Sequence, residues 1–116
     1  YLLYVEAKMA GQLKTQNLDA IAAFNAVRQR VRLSTLATDG SAEITLDMLL
    51  NERRFELAFE NHRLHDLIRT GQALSVLGNF AATEGYNFTS TDLLLPIPQR
   101  EMNVSGGRLV QNPGYN

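Results

Sequence analysis

The chain has 116 residues, of which 45% are hydrophobic and 20% are charged, and its formal net charge at pH 7 is −1. This apolar content argues against intrinsic disorder, and the length supports one modest hydrophobic core. The sequence has no cysteine and no clustered basic run, which excludes disulfides and cysteine-ligated zinc and gives no support to nucleic-acid binding. No apolar run approaches the roughly 20 residues of a membrane-spanning helix.

The first part of the chain predicts two helices joined by a short turn. Residues 1–10 are helix formers with apolar side chains around most of the circumference, and Gly11 is a suitable stop. Asn17 is a suitable N-cap for a second helix over residues 17–32. In that helix the apolar positions recur at helical spacing, at Ala20, Phe24, Val27 and Val31. We therefore predict an αα-hairpin over residues 1–33.

A third helix, over residues 45–60 with Thr45 as N-cap, is predicted to carry two apolar faces. At 100° per residue, one face comprises Leu46, Leu49, Leu50 and Leu57, and the other comprises Met48, Phe55 and Phe59. A helix with two apolar faces is expected to lie between neighbours on both sides. Asn61 is expected to interrupt it, and a further helix from His62 is expected to end at Gly71.

The charged side chains of these helices are expected to form an internal ion network, because carboxylates held between apolar faces need cationic partners. The network would comprise Glu52, Arg53, Glu56, Glu60, Arg63, Asp66 and Arg69. A competing hypothesis makes Glu52 or Glu56 a catalytic carboxylate of a hydrolase. His62 and His65 are spaced to share a metal ion, but one packed and one solvated histidine is the favoured interpretation, with no metal and no cofactor.

From residue 78 to residue 116 the pattern predicts irregular loops and a tail. Tyr86 and Phe88 lie in a polar stretch and are candidate stacking platforms for sugar rings, although anchoring of the loop to the core is the favoured interpretation. Prolines fix an extended path over residues 93–98, where we expect Leu95 and Ile97 to be buried.

Four motifs in order resemble the SusD/RagB family. Residues 51–60, NERRFELAFE, are similar to its ERRxEL helix, and residues 62–71, HRLHDLIRTG, are similar to the segment that follows it. Residues 95–98, LPIP, and residues 111–115, QNPGY, resemble its C-terminal motifs. Residues 4–7 and 25–30 fit the last tetratricopeptide-like helix pair of that fold. The one departure is Asn61, where the family usually has glycine.

The resemblance implies a mainly helical, all-α fold in which residues 1–116 form a single C-terminal segment of a longer protein, with residues 45–71 as the ERRxEL helices. It also implies a lipid-anchored protein of the bacterial outer membrane that binds glycans or peptides and caps a SusC-like TonB-dependent transporter, with no enzymatic activity. A helical protein-interaction scaffold without a small ligand is the alternative.

The hairpin also leads to an expectation about missing contacts. Tetratricopeptide-like hairpins bury their faces by stacking on adjacent hairpins. We therefore expect the preceding part of the same polypeptide to cover an apolar patch around Leu2, Leu3, Val5 and Met9.

Overall fold

The computed structural model describes residues 1–115 and is mainly helical, as predicted. The elements in chain order are α1 Leu2–Met9, β1 Lys14–Thr15, α2 Leu18–Arg30, β2 Ile44–Thr45, α3 Leu46–Glu56, α4 His62–Arg69, α5 Ala73–Thr83, a 3₁₀ turn Ser90–Leu93, and α6 Gln99–Val104. The chain divides into two compact units, of which the first is Tyr1–Arg63 and the second begins at Leu64.

The core of the first unit lies where α1 packs against both α2 and α3. Its fully buried large side chains include Val5, Ile21, Phe24, Ile44 and Leu49. Burial of each such side chain contributes on the order of 1.5–3 kcal/mol, so this small cluster is the main source of stability of the unit. The predicted αα-hairpin over residues 1–33 is present as α1 and α2.

Both predicted helix N-caps of the first unit are confirmed. The Asn17 Oδ1 accepts a hydrogen bond from the Ala20 N–H at 3.1 Å, and the Thr45 Oγ1 accepts one from the Met48 N–H at 3.2 Å. These bonds satisfy amides that the first turn of a helix leaves without a partner. Asp19 and Asp47 lie in the two first turns, where the helix dipole favours a carboxylate.

A two-stranded antiparallel pairing joins the turn after α1 to the residues before α3. Lys14 pairs with Thr45 and Thr15 pairs with Ile44, and the Leu46 N–H donates to the Leu13 carbonyl at 2.8 Å. Sequence periodicity did not predict these strands, because each has two residues and their partners lie about thirty positions apart. The pairing places the start of α3 beside the hairpin.

Three expectations about apolar side chains of the first unit are wrong. Helix α3 ends at Glu56, and Phe59 and Asn61 have positive φ angles of 69° and 61°, so the predicted second apolar face does not continue. Phe55 is 74% exposed and Phe59 is fully exposed, because the packed side of α3 is the one that carries Leu49 and Leu50. Val31 is 46% exposed because α2 ends one residue earlier.

The apolar patch predicted on α1 also differs from the expectation. Leu2, Val5 and Met9 are buried against the rest of the first unit, and only Leu3 of the four is exposed. A helical-wheel projection of such a short helix does not show which side of the helix packs against a neighbouring helix. Contacts with α2 and α3 cover one side of α1, and Leu3 lies outside them together with Tyr1 and Tyr4.

The second unit contains more helix than the sequence predicted. Gly71, with φ 71°, follows the end of α4 as expected. Helix α5 then runs from Ala73 to Thr83, and α6 covers Gln99–Val104. The prediction of irregular structure from residue 78 onward is therefore wrong for the end of α5 and for α6. Gly78 lies within α5, where a glycine costs only about 1 kcal/mol relative to alanine and so does not end the helix.

An extended path was predicted over residues 93–98, but Leu93 belongs to the 3₁₀ turn Ser90–Leu93, and residues 95–98 then follow outside any helix. Burial does not hold this stretch as expected. Leu95 is 69% exposed and Ile97 is half-buried. Instead, side-chain amides hold the backbone: Gln111 bonds to both the N–H and the carbonyl of Ile97, and the Asn112 Nδ2 donates to the Leu95 carbonyl at 2.6 Å. We call residues 95–98 together with Gln111 and Asn112 the tail clasp.

Candidate functional site

The first candidate site residues, Tyr86 and Phe88, follow the end of α5. The Tyr86 N–H donates to the Ala81 carbonyl at 2.8 Å, and Gly85 takes the left-handed conformation, φ 76°, that this helix ending requires. The Tyr86 ring is 76% exposed, whereas Phe88 is half-buried. The two aromatic residues therefore differ in environment, and only Tyr86 offers most of its ring to a ligand.

The loop beyond these aromatics is ordered by a capping box at the 3₁₀ turn. Asp92 accepts a hydrogen bond from the Thr89 N–H at 2.7 Å and another from the Thr89 hydroxyl at 3.1 Å. The Tyr115 hydroxyl donates to the Thr91 carbonyl at 3.3 Å, which brings the QNPGY segment to the same turn. These hydrogen bonds hold the backbone of residues 89–92, which follows Tyr86 and Phe88, at its start and near its end.

Two carboxylates of the predicted ion network are paired with arginines of α2. The Arg28 Nη1 lies 2.7 Å from the Glu52 Oε2, and the Arg30 Nη2 lies 2.6 Å from the Glu56 Oε2. The Glu52 side chain is 9% exposed, so its charge is close to fully desolvated. Arg28 and Arg30 are not among the predicted members of the network, all of which lie within residues 45–71, the predicted ERRxEL helices.

The remaining members of the predicted network lie in different surroundings. Glu60 is exposed, and its Oε2 lies 4.0 Å from the His62 Nε2. The Arg69 Nη2 lies 2.7 Å from the buried Asp66 Oδ1, and the Arg63 Nη1 donates to the Leu50 carbonyl at 3.1 Å. Arg53 is buried.

A groove of about 540 Å³ lies between α2 and α3, and we call it the α2–α3 groove. Its lining includes both members of the Arg28–Glu52 pair together with Glu56, and an aromatic and aliphatic rim of Val31, Leu33 and Phe55. This size falls within the range of about 300–1,000 Å³ that is typical of small-ligand sites. The groove combines apolar walls with charged side chains on its floor.

Two exposed groups outside the groove have displaced pKa values. The pKa of Lys8 is raised, first by its hydrogen bond with Tyr4 and then by Asp19, whose carboxylate lies 3.2 Å from the Lys8 Nζ. The pKa of Asp39 is lowered because the Ser41 hydroxyl and N–H both donate to its carboxylate. Both are local effects of surface turns and helix ends.

Within residues 1–115, no group of three or more histidine, aspartate and glutamate side chains is arranged to hold a metal ion. In the same part of the chain, no helix combines the length and the apolar character needed to cross a bilayer.

Residues 1–115 match the family model described as the SusD family. This chain belongs to the SusD family. It is 28% identical to the SusD-like protein P2 of Formosa agariphila over 122 residues, which cover 98% of this chain and 24% of that relative. Its fold is similar to that of Surface glycan-binding protein A from Bacteroides thetaiotaomicron, with a TM-score of 0.67, 39% identity, and coverage of 82% of this chain and 19% of that one. The chain thus spans a quarter or less of each relative.

The SusD family motifs serve two kinds of contact in this structure. The ERRxEL helix supplies Glu52 and Glu56 to ion pairs with α2, and the LPIP and QNPGY motifs meet in the tail clasp. Sequence reasoning recognised both motifs but not their mutual contact. A signal was present: Ile97 stands between two prolines that lack N–H groups, so a nearby glutamine or asparagine is a suitable partner for its backbone.

Proposed function

We propose that this chain is part of a cell-surface glycan-binding protein that delivers its ligand to a SusC-like TonB-dependent transporter. The observation that carries the proposal is membership of the SusD family together with the likeness to Surface glycan-binding protein A. The proposed ligand is a glycan, with a peptide as the alternative class. The proposed location is the outer face of the bacterial outer membrane, through a lipid anchor.

Tyr86 is the proposed ligand contact of the second unit. An exposed aromatic ring can stack on the C–H face of a sugar, and the capped turn beyond it limits the entropy lost on binding. Phe88 is proposed to anchor the loop, because its side chain is half-buried.

A ligand panel tests this function. Thermal unfolding would be followed with glycans and peptides of several classes; a ligand at a hundred times its Kd stabilises the folded state by about 2.7 kcal/mol. Tyr86→Ala should reduce the shift caused by the active ligand. Tyr1→Ala, which removes a ring of similar exposure (79% against 76%), should leave that shift unchanged. If no member of the panel raises the unfolding temperature, the ligand-free scaffold becomes the better hypothesis.

We propose further that the protein is not a hydrolase. Glu52 and Glu56 are each paired with an arginine of α2, so both carboxylates serve contacts between α2 and α3. The network of these charges is proposed to be structural. Turnover of a chromogenic glycoside that is abolished by Glu56→Gln would contradict this.

Additional polypeptide of the same protein is proposed as a partner of the first unit. Tyr1, Leu3 and Phe59 are largely exposed, and helical hairpins of this type bury such side chains against neighbouring helices. The transporter is proposed as the second partner. Co-purification of this protein with the transporter from membranes would test the second proposal. The co-purification should be lost when the lipid anchor or the transporter gene is removed.

A further inference from the structure

The α2–α3 groove has a rigid floor. The Asn25 side chain bonds to both the N–H and the carbonyl of Leu36, at 2.8 and 2.9 Å, and Asn25 is buried. The Arg28 Nε donates to the Ser34 carbonyl at 2.5 Å while its Nη1 holds Glu52. The loop after α2 is thereby tied to α2 and, through Arg28, to α3. A ligand in this groove would not have to order it, and such preorganisation favours binding.

The exposed wall of the groove combines stacking with hydrogen bonding. Phe55 is 74% exposed, and Asn51, also exposed, precedes it by four residues on α3. Residues four apart lie on the same helix face, and Asn51 and Phe55 both line the groove. An amide both donates and accepts hydrogen bonds, which suits the neighbouring hydroxyls of a sugar.

The floor of the groove discriminates between possible occupants. Arg28, Glu52 and Glu56 line the groove, so an apolar protein face laid over it would remove water from the Arg28–Glu52 pair and from the Glu56 carboxylate, and desolvation of such charges is costly. A hydroxyl-rich ligand avoids this cost, because its hydroxyls and bridging water continue to satisfy the charged groups. Each of the two carboxylates in the lining, Glu52 and Glu56, is already paired with an arginine, which favours a neutral ligand.

We propose that the α2–α3 groove is a subsite for a neutral oligosaccharide, in which the Phe55 ring stacks on a pyranose ring and the Asn51 amide bonds to its hydroxyls. This subsite rests on the proposed glycan-binding function and is separate from Tyr86. It gives the first unit a direct role in recognition.

The test is an amide-resolved NMR titration of the chain with maltohexaose, cellohexaose and laminarihexaose in turn. Binding should shift the signals of residues 51–56, and Phe55→Ala should weaken it by about three- to tenfold, the equivalent of one aromatic stacking contact. Asn51→Ala should also weaken binding. Phe59→Ala is the matched control, since Phe59 is fully exposed and does not line the groove, and it should change Kd by less than about twofold.

Other outcomes overturn the subsite in distinguishable ways. If an oligosaccharide binds with the same Kd in the Phe55→Ala variant but not in Tyr86→Ala, the subsite is wrong and the proposed function stands. If none of the three sugars binds, the subsite is wrong, and the wider ligand panel decides the proposed function. If the signals of residues 51–56 shift with protein concentration in the absence of sugar, the groove is a protein-binding face.

Discussion

The side-chain amide of Gln111 bonds to both backbone polar groups of Ile97. Its Oε1 accepts from the Ile97 N–H at 2.7 Å, and its Nε2 donates to the Ile97 carbonyl at 2.8 Å. Pro96 and Pro98 on either side lack N–H groups, so the N–H of Ile97 is the one backbone donor among these three residues. One side chain thus takes the place of a partner strand and joins two motifs that lie fourteen residues apart.

Removal of this amide should loosen the tail clasp. Gln111→Ala deletes two hydrogen bonds, which together contribute about 1–3 kcal/mol. We expect faster hydrogen exchange at the Ile97 amide, measured by NMR or mass spectrometry. Gln99→Ala is the control: the Gln99 Nε2 bonds to the exposed Asn103 side chain and to no other side chain within residues 1–115, so exchange at Ile97 should stay unchanged. Equal exchange in the two variants would contradict the clasp.

The two ion pairs between α2 and α3 should differ in their contribution to stability. Arg28→Ala leaves the nearly buried Glu52 carboxylate without its cation, which we expect to cost about 3 kcal/mol. Arg30→Ala also removes the arginine partner of a carboxylate, that of Glu56. Because the Arg30 side chain is 65% exposed, its loss should cost less than about 1 kcal/mol. Urea unfolding measures both, and a double-mutant cycle with Glu52→Gln isolates the coupling. Similar costs for the two arginines would show that burial does not set the difference.

The break between α3 and α4 should carry backbone strain at Phe59. A phenylalanine at φ 69° lies in the left-handed region, which costs a non-glycine residue roughly 1–2 kcal/mol. Phe59→Gly should therefore be more stable than Phe59→Ala, by up to roughly 1 kcal/mol once the extra entropy of glycine in the unfolded chain is subtracted. Because the ring is fully exposed, both variants lose little packing. A less stable glycine variant in thermal unfolding would contradict the strain.

Gly114 should be intolerant of a side chain. Its φ is 90°, and a Cβ atom added there would lie 2.5 Å from the Thr91 Cγ2 and 2.8 Å from the Thr91 Oγ1. Gly114→Ala is expected to destabilise the QNPGY turn by about 1–3 kcal/mol. Thr91→Ala in the same chain removes both atoms and should restore part of the loss, while the unfavourable φ accounts for the remainder. The absence of any rescue would mean that the contact with Thr91 is not the cause.

The sequence by itself determined those features that depend on local chemistry. Asn17 and Thr45 were predicted as N-caps because a short side-chain acceptor before an apolar helical run satisfies the first free amides of the helix. Gly71 and Asn61 were predicted as breaks because both residue types accept positive φ. The four motifs in order identified the family.

Only the tertiary structure decided which side of each helix is covered and which charges meet. A helical wheel places Phe55 and Leu49 on apolar faces alike, but the packing of α1 covers Leu49 and leaves Phe55 exposed. The pairing of Glu52 with Arg28 joins residues 24 positions apart, and that of Ile97 with Gln111 joins residues 14 apart. Such contacts depend on where the chain returns in space, and local periodicity contains no information about that path.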